Sequence, residues 1–370
     1  MDATQIDALH RLALEMMMAG RPGQAVALMT RALELAQASD GGLTTAHAAI
    51  FGNLGNALQA TGRSDAAIES YRTGLALAPG VAELHSNLGN VLLARGDVAA
   101  AIDCYRTALA LKPQFPDCLL NLGNALSTLK QHDLAIESYR AAVVLRPVFP
   151  AALNNLGNAY QALGRTAAAV EALRGAAAAD PQSVDIAVNL ASALAASGAF
   201  DEAIERYRAI VAQHPRAAGA HYNLGNALVN RGDEAGALDS YRRAVAIQPA
   251  YPEAHFNLAK LHERCGDRQA AEDSYRAALV HRPDLGGALF ALGNLMVGQG
   301  RFTEAAALSE RLTQLEPDNA EAHCLLGMAR AGVERFDDAV ACFRRALAVK
   351  PDYPMAQYQL GQVLSDCGQT

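Results

Sequence analysis

No apolar run approaches the roughly 18 residues that a bilayer-spanning helix requires, and the start, Met1-Asp2-Ala3-Thr4, lacks the basic region of a secretory signal. The sequence is therefore expected to be cytoplasmic. An excess of basic residues is also missing: 31 Lys and Arg stand against 38 Asp and Glu, a formal charge of −7. That excludes a nucleic-acid backbone or an anionic membrane as main partner, since such binders displace counterions with a basic stripe. The six cysteines (Cys104, Cys118, Cys265, Cys324, Cys342 and Cys367) form no Cys-x-x-Cys pair and fall at unrelated places. They read as buried free thiols in a reducing compartment, not as a zinc cluster. There is no Gly-x-x-x-x-Gly-Lys-Ser/Thr loop, no His-Glu-x-x-His, no Gly-x-Ser-x-Gly elbow and no strand-alternating stretch. Neither an active site nor a cofactor is expected.

What is present is one phrase with a beat of 34 residues: Asn53-Leu54-Gly55-Asn56 returns as Asn87-Leu88-Gly89-Asn90, Asn121-Leu122-Gly123-Asn124, Asn155-Leu156-Gly157-Asn158 and Asn223-Leu224-Gly225-Asn226. Looser copies keep the beat at Asn189-Leu190, Asn257-Leu258, Leu292-Gly293-Asn294, Leu326-Gly327 and Leu360-Gly361. Self-similarity at such a period indicates a solenoid of repeated units and overrides the two or three domains that 370 residues would otherwise suggest. With 51% hydrophobic and 19% charged residues, the chain is of folding composition.

Residues 1–47 read as a worn capping hairpin, with helices from Ile6 to Ala19 and from Gln24 to Ala38, a turn at Gly20-Arg21-Pro22-Gly23, and a break at Ser39-Asp40-Gly41-Gly42. Nine repeats follow over 48–353, beginning at Ala48, Ala82, Pro116, Pro150, Val184, Ala218, Pro252, Gly286 and Ala320. A half repeat or capping helix occupies 354–370. Leu54, Ala57 and Leu58, then Ala67, Ile68, Tyr71 and Leu75, recur at helical spacing, so each repeat holds two amphipathic helices. Gly62, Gly96, Gly164, Gly198, Gly232, Gly266 and Gly300 stand where the first helix must end in a left-handed residue. Pro79, Pro113 and their counterparts through Pro351 close the second helix, because proline lacks the N–H to continue it.

Leu54-Gly55, Ala67, Tyr71 and Pro79, repeated through Leu326-Gly327, Ala339, Phe343 and Pro351, resemble the tetratricopeptide repeat along nearly the whole chain. The resemblance implies an all-α fold: antiparallel helix pairs stacked into a right-handed superhelical solenoid whose first helices line a concave groove. The aromatic residue expected early in the first helix occurs only as Phe51, and elsewhere the place holds His85, His221, His255, His323, Gln357 or an aliphatic residue. These histidines lie a repeat apart on a packing slot and read as space-filling residues, not metal ligands.

Two polar ladders run through the repeats. On the first helix, Asn53, Asn87, Asn121, Asn155, Asn189, Asn223 and Asn257 occupy one place in seven consecutive repeats, and Asn56, Asn90, Asn124, Asn158, Asn226 and Asn294 lie three residues on, on the same face. Asparagine within a helix costs up to about 0.7 kcal/mol relative to alanine. The ladder is thus expected to serve binding, and its removal to leave stability unchanged or slightly raised. An amide offers a donor and an acceptor together, the complement of a peptide bond. Helices about 10 Å apart and an extended chain rising about 3.3 Å per residue give one rung per roughly three peptide residues. On the second helix an acid precedes an arginine by three residues at Glu69/Arg72, Asp103/Arg106, Glu137/Arg140, Glu171/Arg174, Glu205/Arg208, Asp239/Arg242 and Asp273/Arg276, which reads as a solvated face of ion pairs.

The functional expectation is a protein-interaction scaffold that binds proteins or peptides in extended conformation along the asparagine ladder. The joined phrases Asn-Leu-Gly-Asn and Tyr-Arg-x-Ala-Leu, as in Tyr105-Arg106-Thr107-Ala108-Leu109, are also similar to the arm of protein O-linked N-acetylglucosamine transferases and their bacterial relatives. That similarity implies backbone contacts by the seven first-row asparagines, and the alternative function of a substrate-recognition arm for a catalytic domain beyond residue 370. A clamp for a C-terminal carboxylate is disfavoured, since Lys260 is the one lysine on the ladder face. Self-association through a solenoid end is compatible with the sequence.

Overall fold

The computed structural model describes residues 2–39 and 42–366. Asp40, Gly41 and Cys367, along with the rest of 367–370, lie outside the described residues. Among those described, the secondary structure is helical throughout, with no strand. The contacts divide the chain into two compact units, one ending at Ser197 and one beginning at Gly198. The first holds α1 (Asp2–Met18), α2 (Pro22–Ala38), α3 (Ala48–Ala60), α4 (Ser64–Leu77), α5 (Ala82–Ala94), α6 (Val98–Leu111), α7 (Pro116–Thr128), α8 (His132–Leu145), α9 (Pro150–Ala162), α10 (Thr166–Ala179) and α11 (Val184–Ala196). The second holds α12 (Phe200–Gln213), α13 (Ala218–Arg231), α14 (Glu234–Ile247), α15 (Pro252–Arg264), α16 (Arg268–His281), α17 (Gly286–Gly298), α18 (Phe302–Leu315), α19 (Ala320–Gly332), α20 (Phe336–Val349) and α21 (Pro354–Asp366). Within each unit, helices pair as antiparallel hairpins and each hairpin packs on the next, which is the expected all-α repeat architecture.

Local chemistry sets these boundaries. Second helices stop two residues before the repeat proline, because the residue preceding proline is pushed out of the helical region: Ala78 sits at φ −139°, ψ 80° and Arg146 at φ −138°, ψ 88°. The hairpin turn requires a left-handed residue. Gly62 and its equivalents supply it at no steric cost, but Lys130 (φ 59°) and Glu334 (φ 62°) hold the same place in their repeats against the steric preference of a side chain. The Gly of Leu-Gly is required by close packing. A Cβ on Gly55 would lie 2.5 Å from the Tyr71 ring, and one on Gly89 would lie 2.7 Å from Tyr105. The rings of Tyr71 and Tyr105 therefore rest on the bare backbone of the first helix and are fully buried.

Several expectations are corrected. Helix α2 begins at Pro22, which fits the first helical position where a missing N–H is harmless, so the turn is shorter than the glycines suggest. Cys118, Cys324 and Cys342 are buried free thiols and Cys104 is half-buried, but Cys265 is exposed. The slot histidines do more than fill space. The Nε2 atoms of His85, His221, His255 and His323 lie 2.9, 3.1, 2.9 and 2.8 Å from the carbonyl oxygens of Pro79, Pro215, Pro249 and Pro317. Gln357 donates likewise to Pro351 at 3.0 Å. Each ties the first turn of a first helix to the proline just after the preceding second helix.

Candidate functional site: the asparagine rows

The two asparagine rows are bonded to each other. In the first unit Tyr71 Oη donates to Asn56 Oδ1 at 2.6 Å, and Asn87 Nδ2 from the next repeat donates to the same oxygen at 3.2 Å. The trio recurs at Asn90, which accepts from Tyr105 at 2.8 Å and Asn121 at 2.9 Å, and at Asn124, which accepts from Tyr139 at 2.9 Å and Asn155 at 2.8 Å. In the second unit Asn226 accepts from Tyr241 at 2.7 Å and from Asn257 at 3.0 Å. Burial pushes these phenols up, Tyr139 to about 12, so each stays protonated at neutral pH and serves as a donor.

The oxygens of Asn56, Asn90, Asn124 and Asn226 are thus each filled by two donors, which fixes which way these amides face. Left without a protein partner among the described residues are the Nδ2 groups of Asn56, Asn90, Asn124 and Asn226 and the Oδ1 atoms of Asn87, Asn121 and Asn257. None of these atoms is both buried and unpaired, so they face solvent from half-buried side chains. A recess opens over them at equivalent places in the two units. In the first it has a volume of ≈ 310 Å³ and is lined by Asn124, Ser127, Thr128, Tyr139, Asn155 and Asn158. In the second it has ≈ 450 Å³ and is lined by Asn226, Asn230, Tyr241 and Asn257, with Lys260 and Arg264 at its edge. Lys260 rests over the Phe256 ring at 5.6 Å, and Arg264 is paired with Glu234.

Not every predicted site residue joins these rows in the same way. Asn53 Nδ2 lies 2.8 Å from His10 Nε2 of the N-terminal hairpin. Asn189 Nδ2 donates to Asn154 Oδ1 at 2.9 Å, a residue that sequence reasoning did not place in the site. Asn294 is exposed and turned back on its own helix, donating to the Phe290 carbonyl at 3.1 Å. Neither Asn158 nor Asn223 makes a side-chain hydrogen bond among the described residues. The first row stops at Asn257, with Ala291 next although Tyr275 is retained and donates to Glu263 at 2.8 Å. One repeat on, Ser309 takes the tyrosine's place with its hydroxyl turned to Ala305, and Leu325 lies 2.9 Å from a Cβ built on Gly293. Leucine there fills the space the ring vacates.

The second-helix ladder is largely rewired. Glu69 and Arg72 form the expected pair at 3.0 Å, but Asp239 pairs with Arg243, and Arg276 turns to Glu272 and Glu304. Ion pairs between repeats are prominent instead, including Arg95 to Asp65 at 2.7 Å and Arg165 to Asp133 at 2.9 Å, and within one repeat Arg146 makes a two-pronged contact to Asp117 at 2.9 and 2.8 Å. No group of metal-binding side chains and no helix long and apolar enough to cross a membrane occurs among the described residues.

Among solved structures, the chain is similar to YrrB, a TPR protein with an unusual peptide-binding site, at 20% identity and TM-score 0.43, covering 51% of this chain and 98% of that one. It is also similar to a tetratricopeptide repeat protein from Parabacteroides merdae, at 18% identity and TM-score 0.48 over 67% and 98% of the two chains. A third, the APC/C hetero-tetramer Cut9-Hcn1, matches at 14% identity and TM-score 0.49 over 98% and 91%. No curated protein sequence matches the chain significantly. Family models described as tetratricopeptide repeat match residues 53–116, 120–184, 188–252, 237–287 and 256–320, and two further such models match 4–80 and 296–360. Together with the helix pairs, the glycine turns and the tyrosine seated on Leu-Gly, these matches place the chain in the tetratricopeptide repeat family.

Proposed function

We propose that the chain is a protein-interaction scaffold whose first-helix face takes up extended peptide segments of partner proteins, with the asparagine rows bonding to the peptide backbone. One observation carries this reading. Half-buried amides, held in fixed orientation by the tyrosines, keep donor and acceptor groups without protein partners over recesses of ≈ 310 and ≈ 450 Å³ at the same place in different repeats. Oriented amide groups complement the N–H and C=O of an extended chain and ignore its side chains. Such a surface suits a partner presented as an unfolded segment, and binding is ordered by pre-organised groups at little entropic cost.

The test is a titration with 12-residue peptides selected from a random display library on the full chain. Replacing Asn121, Asn155 and Asn189 together by alanine is expected to weaken binding at least tenfold with helical circular dichroism retained. Glu137→Gln with Arg140→Gln, on the second helix, is expected to leave affinity within twofold, because both side chains are exposed on the second helix and neither bonds the asparagine rows. Binding that survives the triple variant and falls with the second-helix variant contradicts the proposal.

A further inference from the structure

The repeat formed by α9 and α10 breaks the tyrosine rule. Leu173 stands where Tyr71, Tyr105 and Tyr139 stand in the earlier repeats, and it packs against Gly157 as the rings pack against their glycines. Leucine fills the space but brings no hydroxyl. The oxygen of Asn158 therefore lacks the donor that Asn56, Asn90 and Asn124 each receive. Its second donor is lost as well. Asn189, which would complete the trio, donates instead to Asn154 at 2.9 Å, and Asn154 in turn donates to Asn155 Oδ1 at 3.2 Å. The result is an amide chain running from Asn189 through Asn154 and Asn155 to Asn124, with Asn158 outside it.

The Asn158 side chain makes no hydrogen bond among the described residues, yet its amide is not sealed from solvent. It is half-buried and forms part of the ≈ 310 Å³ recess with Asn124, Ser127, Thr128, Tyr139 and Asn155. We infer that Asn158 is the principal peptide-gripping residue of the first unit, and that Leu173 makes it so by withholding the hydroxyl that fills the oxygens of Asn56, Asn90 and Asn124. This rests on the peptide-binding reading above and sharpens it. Asn56, Asn90 and Asn124 can offer a peptide only their Nδ2 donors, since each oxygen is already filled. Asn158 offers both halves of its amide and can accept from the N–H and donate to the C=O of one extended residue. The ligand class is polypeptide backbone in extended conformation, read without regard to the side chain at that position. Leu173 itself lies behind the recess and is a positioning residue.

The substitution Leu173→Tyr tests this directly, since it should rebuild the bond seen at Tyr71, Tyr105 and Tyr139 and fill the Asn158 oxygen from behind. With a display-selected 12-residue peptide as probe and the full chain as receptor, Asn158→Ala is expected to weaken binding about tenfold, the loss of roughly 1.4 kcal/mol of hydrogen bonding. Leu173→Tyr is expected to weaken it several-fold while the melting temperature holds or rises. Leu173→Phe, which adds the ring without the hydroxyl, is expected to leave affinity within twofold. Equal effects of tyrosine and phenylalanine would overturn the role of the hydroxyl. Unchanged affinity in Asn158→Ala, with a loss in Asn124→Ala, would overturn the assignment of Asn158 while leaving peptide binding intact. A library that yields no binding peptide at all overturns both readings.

Discussion

Tyr139 Oη and Asn155 Nδ2, which belong to consecutive repeats, meet on one atom: both donate to Asn124 Oδ1, at 2.9 and 2.8 Å. The tyrosine comes from the second helix of its own repeat, the asparagine from the first helix of the next. The trio joins a hairpin to itself and to its neighbour through a single oxygen. It also explains why asparagine persists at a helical place that disfavours it.

That bond changes what substitution should do to stability. Asn155→Ala and Asn158→Ala bring the same gain in helix propensity, about 0.6 kcal/mol, but only the first removes side-chain hydrogen bonds, one to Asn124 and one from Asn154, each worth about 1 kcal/mol. Asn158→Ala is expected to raise the melting temperature slightly and Asn155→Ala to lower it. Calorimetric melting of the two variants side by side measures the difference, and equal shifts would show that the trio carries no stability. Sequence reasoning expected replacement of Asn155, together with Asn121 and Asn189, to be neutral or stabilising, since it saw the propensity and not the partner.

Lys130 and Glu334 adopt left-handed backbone at φ 59° and 62°, at the place where other repeats have glycine. A side chain there is strained by about 1 kcal/mol, of which glycine returns a part as entropy of the unfolded chain. Lys130→Gly and Glu334→Gly are each expected to stabilise by roughly 0.5 kcal/mol, read as a higher urea midpoint. Destabilisation by both would mean that the side chains make compensating contacts.

Glu272 is 5% exposed, in a place where other repeats bury Ile68, Ile102, Ile136 and Ile204. Arg301 at 2.7 Å and Arg276 at 2.9 Å hold its carboxyl below the ordinary value of 4.5 despite the desolvation that opposes them. Glu304, bridged by the same two arginines, is lowered to about 2. A depressed acid contributes stability that is complete above its unfolded value and lost as pH falls through its folded value. The second unit is therefore expected to lose stability as pH falls below about 4.5 towards 2. Glu272→Ile leaves Arg276 and Arg301 paired with Glu304 and is expected to be neutral or stabilising at pH 7. Its pH dependence in this window should be shallower than that of the parent in the same thermal melts.

Cys265 is exposed, whereas Cys118, Cys324 and Cys342 are buried and burial pushes their thiols up, Cys118 to about 11. Since the thiolate is the reactive form and access is required, iodoacetamide on the native chain is expected to modify Cys265 long before those three. Peptide mapping by mass spectrometry reads the order. Early labelling of Cys118 would contradict the packing of α7 against α6.

Much of the fold was legible because its signals are local. Gly62 marks a left-handed turn, Pro79 ends a helix, and Leu54-Gly55 with Tyr71 gives both faces of a hairpin, all within one repeat. The site was only half legible. The asparagine rows stand out by period, but their bonds join residues 15 and 31 positions apart, and no propensity reports those distances. The acid and arginine spacing misled for the opposite reason. Exposed charges three apart have several partners within reach, and the loop arginines Arg95 and Arg165 found acids in the preceding repeat.

The central claim is that these asparagines read peptide backbone. A backbone N-methyl scan of a display-selected peptide tests it most directly, because N-methylation removes a donor and leaves each side chain in place. The account predicts that methylation at alternate positions weakens binding at least tenfold, whereas exchanging the side chains at those positions changes it by less than about threefold. Affinity that ignores N-methylation and collapses on side-chain exchange would contradict it.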